Sequence, residues 1–140
     1  MFDESSDFVF KKYIAAVDQK LVPIICVGEK SEERTKWKEV LEGQLEKYLK
    51  GLKSNAQVIF AYEPLWSIGT GVVPTMKDIE KVTTFIKDYL CKKVDYPVLY
   101  GGSVAPENAG EILKCEGVDG VLVGGASLVL DKFVKIIEAA

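Results

Sequence analysis

Histidine is absent from this chain, so no imidazole within it can serve as acid, base, electrophile or metal ligand. Cysteine is scarce: the three present are an odd number without a Cys-x-x-Cys pair, which argues against a disulfide framework and for a reducing, cytoplasmic setting. Each is expected to be a small buried hydrophobe, Cys26 in a strand and Cys91 and Cys115 in helices. Positive charge is not in excess, the formal net charge being −3, so neither nucleic acid nor a membrane surface is an expected partner. Apolar runs are far too short to span a bilayer, and Met1-Phe2-Asp3-Glu4 does not open a signal peptide. What is left is ordinary soluble composition, 48% hydrophobic and 28% charged over 140 residues. That length suits one domain, 1–140, with a real core.

Two periodicities alternate along it. Val22-Pro23-Ile24-Ile25-Cys26-Val27, Val58-Ile59-Phe60-Ala61, Pro97-Val98-Leu99-Tyr100 and Val121-Leu122-Val123 are continuous apolar runs, as in strands of a parallel sheet covered by helices or lining a barrel. Between them, Trp37, Val40, Leu41, Leu45, Tyr48, Leu49 and Leu52 form one helical stripe behind Ser31 as N-cap. Ile79, Val82, Phe85, Ile86, Tyr89 and Leu90 form another behind Thr75, whose spacing to Asp78 resembles a capping box. Pro106 and Asp131 open two further helices, and Phe8, Val9, Tyr13, Ile14 and Val17 give a helical face before the first strand. The order α-β-α-β-α-β-α-β-α contains no linker or low-complexity tract. It fits an open doubly wound sheet or part of a (β/α)8 barrel, which needs about 250 residues when whole.

The chemistry concentrates after the strands. Ala61-Tyr62-Glu63-Pro64-Leu65-Trp66-Ser67-Ile68-Gly69-Thr70-Gly71 sets one carboxylate at a strand end and follows it with a small uncharged loop. A base on a rigid strand beneath a loop that folds over it can take a proton while water is excluded; a solvated strand-end glutamate is the plainer alternative. Gly101-Gly102-Ser103-Val104 and Gly124-Gly125-Ala126-Ser127 each sit between a strand and a helix. Unhindered amides there can face a phosphate, although a glycine pair is also simple turn chemistry.

Taken together, Ala61 to Gly71, Tyr100-Gly101-Gly102-Ser103-Val104 and Val121 to Leu128 resemble the signature segments of the triosephosphate isomerase family. Cys26-Val27-Gly28-Glu29 and Phe2-Asp3-Glu4-Ser5 align with it too. The resemblance covers the whole chain but only the C-terminal half of the family's (β/α)8 barrel, strands five to eight with their helices. It implies an α/β isomerase of glycolysis and gluconeogenesis that interconverts dihydroxyacetone phosphate and glyceraldehyde 3-phosphate, with no metal and no cofactor. Glu63 resembles the catalytic base, and Gly69, Ser103, Gly124 and Gly125 the phosphate contacts. Pro64, Leu65, Trp66, Ser67, Ile68, Thr70 and Gly71 resemble the lid and its first hinge, where Trp66 is alternatively core packing. Glu29, Tyr100 and Ser103 resemble residues that hold the lid open or shut.

Two departures qualify what the resemblance implies. The second hinge reads Val72-Val73-Pro74, and proline has no N–H to offer Tyr100. More seriously, the family's asparagine, lysine and histidine from the first four strands have no counterpart; Lys12 and Lys20 lie in the opening helical segment and cannot stand in. The family's homodimer contacts also come mainly from the absent half. The chain alone is therefore expected to be inactive, and to associate with itself or with an N-terminal half through its open sheet edges. A non-catalytic phosphate-binding or interaction half-barrel is the alternative, and an unrelated phosphate-binding barrel half the third.

Overall fold

The computed structural model describes residues 5–52, 56–70, 72–91 and 94–140. Helix α1 (Ser6–Asp18) begins where the Ser5 hydroxyl accepts the Phe8 amide at 3.3 Å, satisfying one of the donors every helix start leaves over. Strand β1 (Ile24–Val27) follows, then a tight 3-10 stretch (Ser31–Lys36) and helix α2 (Trp37–Lys50). Ser31 therefore does not cap this helix. The turn is fixed instead by Glu33, whose carboxylate accepts the Lys30 amide at 2.9 Å. Strand β2 (Ile59–Tyr62) leads to the long loop and to helix α3 (Met76–Cys91). At its start the Thr75 hydroxyl accepts the Asp78 amide at 3.1 Å and donates to the Asp78 carboxylate at 2.7 Å, the cap that the Thr75–Asp78 spacing predicts. Strand β3 (Val98–Tyr100), helix α4 (Pro106–Ile112), strand β4 (Gly120–Val121), a 3-10 turn (Gly125–Leu128) and helix α5 (Leu130–Glu138) complete the order. The strands are shorter than their apolar runs: Val22, Pro23, Val58, Pro97, Leu122 and Val123 lie outside the ladders. Asp131 falls in the first turn of α5 rather than at its start.

All pairings are parallel, in the order β1-β2-β3-β4. Each strand lies beside its sequence neighbour and the order never reverses, which is the winding of a barrel segment; a doubly wound sheet turns back at a switch point. One face carries the core: Ile25, Val27, Phe60, Tyr62, Val98 and Tyr100 are buried there with Leu41, Leu45, Ile79, Ile86, Leu90 and Ile112 from the helices. A tilted aromatic set, Phe10, Tyr13 and Tyr48, clamps α1 onto α2. On the opposite face Ile24 and Cys26 are exposed and Ile59 and Leu99 half-buried. Cys26 is thus not the buried hydrophobe its strand position suggests: its register partner Ala61 is fully buried on this face, but Cys26, on the outer strand, stays open to solvent. Cys115 is buried as expected but lies in the turn after α4, not in a helix; the Cys91 side chain lies outside the described residues. Among the described residues, no helix is long and apolar enough to cross a membrane.

Candidate active site

The ends of β2, β3 and β4 and the loops that follow them enclose one cleft of about 500 Å³. Its lining includes Glu63, Gly69, Ser103, Gly124 and Gly125, so residues from three separate loops meet in one place. Parallel pairing is the reason: Phe60 pairs with Val98 and Leu99 with Gly120, which brings every strand's C-terminal end to one rim.

Glu63 is seated by backbone packing. Its amide donates to the Val27 carbonyl at 2.8 Å, and the Gly101 amide donates to the Tyr62 carbonyl at 2.8 Å. A Cβ on Gly28 would sit 1.8 Å from the Glu63 carbonyl oxygen, so only glycine lets the end of β1 pass this close. Beside the carboxylate, the Cys26 thiol donates to Oε1 at 3.4 Å. The protein packed behind that thiol, then the Glu63 charge and hydrogen bond, push it up to about 12.

The loop after Glu63 is stitched to itself. The Thr70 hydroxyl lies 3.1 Å from the carbonyls of both Trp66 and Ser67, and accepts the Val72 amide at 3.2 Å. The Ser67 hydroxyl, fully buried, donates to the Val72 carbonyl at 2.7 Å. Gly69 takes a φ of 70°, a left-handed conformation that other L-residues adopt at a cost. Pro64 and Pro74 are buried at the two ends; Gly71, which the resemblance places in the lid, lies outside the described residues. Near the start of this loop, Trp66 Nε1 donates to Glu29 Oε1 at 2.7 Å and the Tyr62 hydroxyl reaches the same oxygen at 3.2 Å. Burial, and then the Glu29 carboxylate, push the Tyr62 phenol up. Arg34 stacks on the Trp66 ring at 3.9 Å, within cation–π range. Trp66 is thus half-buried and held between Glu29 and Arg34. Arg34 belongs to no motif in the sequence; its place in the turn after Glu29 is the one signal that could have found it.

The two glycine loops meet the cleft differently. Asn108 folds the first: its side chain accepts the Ala105 amide at 2.8 Å and donates to the Ser103 carbonyl at 3.0 Å. In the second, the Ser127 amide and hydroxyl both donate to the Gly124 carbonyl, at 2.9 and 2.8 Å. Among the described residues, the amides of Gly69, Ser103, Gly124 and Gly125 find no protein acceptor. Added Cβ atoms at Gly124 and Gly125 would touch nothing within 4 Å. Amides without a protein acceptor in a concave site can serve as a cradle for an anion.

A family model described as triosephosphate isomerase matches residues 1–140. The triosephosphate isomerase of Mycoplasmoides gallisepticum is 41% identical over 149 aligned positions, which cover 99% of this chain and 59% of that protein. For the enzyme of Xanthomonas oryzae pv. oryzae the values are 42% identity, 98% and 58%. For that of Francisella tularensis subsp. holarctica they are 41%, 100% and 59%. The chain thus spans less than two thirds of the length of these relatives.

Proposed function

This chain belongs to the triosephosphate isomerase family, and on that premise we propose that its cleft is the proton-transfer and phosphate-binding part of a triose phosphate isomerase site. The observation that carries the reading is the convergence of one carboxylate, Glu63, with four amide-bearing positions, Gly69, Ser103, Gly124 and Gly125, on a single lining. In this reading Glu63 moves a proton between the adjacent carbons of dihydroxyacetone phosphate and glyceraldehyde 3-phosphate, while the amides hold the phosphate end without a cationic side chain. Pro64 to Thr70 close over both and exclude water, which strengthens every interaction inside. The family's chemistry pairs such a carboxylate base with a neutral histidine that polarises the substrate carbonyl.

That electrophile cannot come from a chain without histidine. Removing one preorganised electrostatic donor typically costs roughly 10² to 10³ in turnover, so the chain alone holds the phosphate and poises the base but turns over very little. Turnover requires the remaining strands, which would cover the exposed Ile24 and Cys26 and pair the outer edges of β1 and β4. Self-association is supported by the exposed apolar residues of α5 and the turn before it, Leu128, Leu130, Val134 and Ile137. Free Cys26 and Cys115 suit a reducing, cytoplasmic setting.

A coupled isomerase assay tests this, with the chain alone and with the N-terminal half of a family member added. Restored turnover that Glu63→Ala abolishes supports the reading. Phosphate binding without restorable turnover favours a phosphate-binding half-barrel, and neither result rejects both.

A further inference from the structure

A fully buried serine in a lid loop calls for a reason, and Ser67 has bonds on both sides. Its hydroxyl crosses the neck of the lid to the Val72 carbonyl at 2.7 Å, and its carbonyl accepts the Ser103 hydroxyl at 2.9 Å. Ser103 is itself held by Asn108, which lies in the first turn of α4. The Ser103–Ser67 hydrogen bond ties the lid to the loop after β3. Tyr100, the other residue expected to latch the lid, has its hydroxyl buried beneath Gly102 without a well-aligned partner; burial pushes that phenol up and the nearby Ser67 hydroxyl draws it back down, so Tyr100 too meets the lid at Ser67. The second hinge cannot supply a tie at Pro74, which has no N–H.

We propose that Ser67 is the positioning residue of the lid, joining its two arms into one rigid unit and mooring that unit to Ser103, so that Gly69 is preset over the phosphate end of the cleft. The proposal rests on the phosphate reading of the cleft given above. The Ser67 side chain itself touches no substrate. It acts through Gly69, sparing the loop part of the ordering cost that an open chain meets when it closes on a ligand.

The test is amide hydrogen exchange on the full chain, with inorganic phosphate titrated as the probe. Ser67→Ala should speed exchange at Thr70 and Val72 by about tenfold, the value of one lost hydrogen bond. It should weaken phosphate binding by roughly threefold to tenfold on the same reasoning. Exchange within α2 and α3 should stay as in the wild type, and Ser67→Thr, which keeps the hydroxyl, should restore the lid. Ser103→Ala should loosen the lid with the neck bond intact. Unchanged lid exchange in Ser67→Ala, equal acceleration throughout the core, or a threonine variant that behaves like alanine overturns the proposal. If the wild-type chain shows no phosphate response at Gly69, Gly124 or Gly125, the cleft reading fails, and the ligand-free exchange comparison still decides the role of Ser67.

Discussion

Gly101 lies so close beneath Glu63 that a Cβ at position 101 would fall 2.7 Å from the Glu63 Cγ and 3.1 Å from its Oε1. With Gly28 under the Glu63 backbone, it makes a seat in which two glycines and a carboxylate fit together. The two contacts differ in what can yield. At Gly101 the side chain of Glu63 can rotate away; at Gly28 the obstacle is the Glu63 carbonyl, which is backbone.

Gly101→Ala should therefore leave the chain folded, with an unfolding free energy lowered by about 1 kcal/mol, while swinging the Glu63 carboxylate, the proposed base, out of place. In the complemented isomerase assay, turnover should drop about 10²-fold, the scale expected for a misplacement of order 1 Å. Gly28→Ala should lower the unfolding free energy by roughly 3 kcal/mol, at the upper end of overpacking costs. Equal stability losses in the two variants would show that the seat is not built as described.

Glu29 is buried, with Oε1 shared by Tyr62 and Trp66 and Oε2 unpartnered. Glu29→Leu strands two donors and should cost roughly 2 kcal/mol, since hydrogen bonds to charged groups are the stronger kind. Glu29→Gln keeps an acceptor and should cost less than half of that. The indole fluorescence of Trp66, read in a Trp37→Phe background, should shift in the leucine variant and stay near wild type in the glutamine variant. An unmoved spectrum in Glu29→Leu would mean that Arg34 alone holds the hinge.

Much of this is legible in the sequence, for identifiable reasons. Continuous apolar runs mark each strand because strands of a helix-covered parallel sheet or a barrel are apolar on both faces, and Thr75–Asp78 marks α3 because cap chemistry is local. Glu63 and the glycine pairs can be read because each follows directly from a strand end. Strand limits cannot, since the ladder at β4 stops at Val121 while the apolar run continues to Val123. Ser31 misleads because Glu33 offers the same turn a better acceptor. Gly28 and Gly101 carry no steric message of their own, as the residue they make room for follows a different strand. The exposure of Cys26 is hidden for a related reason: a strand residue's burial depends on which strands face it.

Lys87 ties α3 to the sheet, reaching Asp119 at 2.7 Å and Asp95 at 2.9 Å, while Asp119 also accepts the Val98 amide at 2.6 Å. Burial lowers the Lys87 ammonium, but the hydrogen bonds to Asp119 and Asp95 outweigh it and leave it raised above its ordinary 10.5. A cation raised on folding contributes stability that is fully present below its unfolded value and fades as pH rises through the folded one. Lys87→Met should thus lose about 1 kcal/mol at neutral pH. The gap from wild type should hold steady to about pH 10 and close above it. Urea unfolding across that range measures the gap, and one that widens with pH would contradict the assignment.

Cys26 gives the sharpest reading of the electrostatics around the Glu63 carboxylate. It is exposed on the open face of the sheet, so access alone would make it reactive. Its thiol is nevertheless pushed up to about 12, first by burial and then by the Glu63 charge and hydrogen bond. Because the thiolate is the nucleophile, modification of Cys26 by a soluble disulfide reagent should be slow at about pH 8 and climb steadily past about pH 10. Glu63→Gln removes the charge and leaves the packing, so the profile should bend at lower pH. The gain in rate should be smaller than the gain in thiolate, about threefold for each tenfold, because a less basic thiolate is a weaker nucleophile. Peptide mapping of the labelled chain assigns the signal to position 26. A wild-type profile that already levels off near the ordinary thiol value of 9.0, or one that Glu63→Gln leaves in place, would mean that the carboxylate does not face the sulfur.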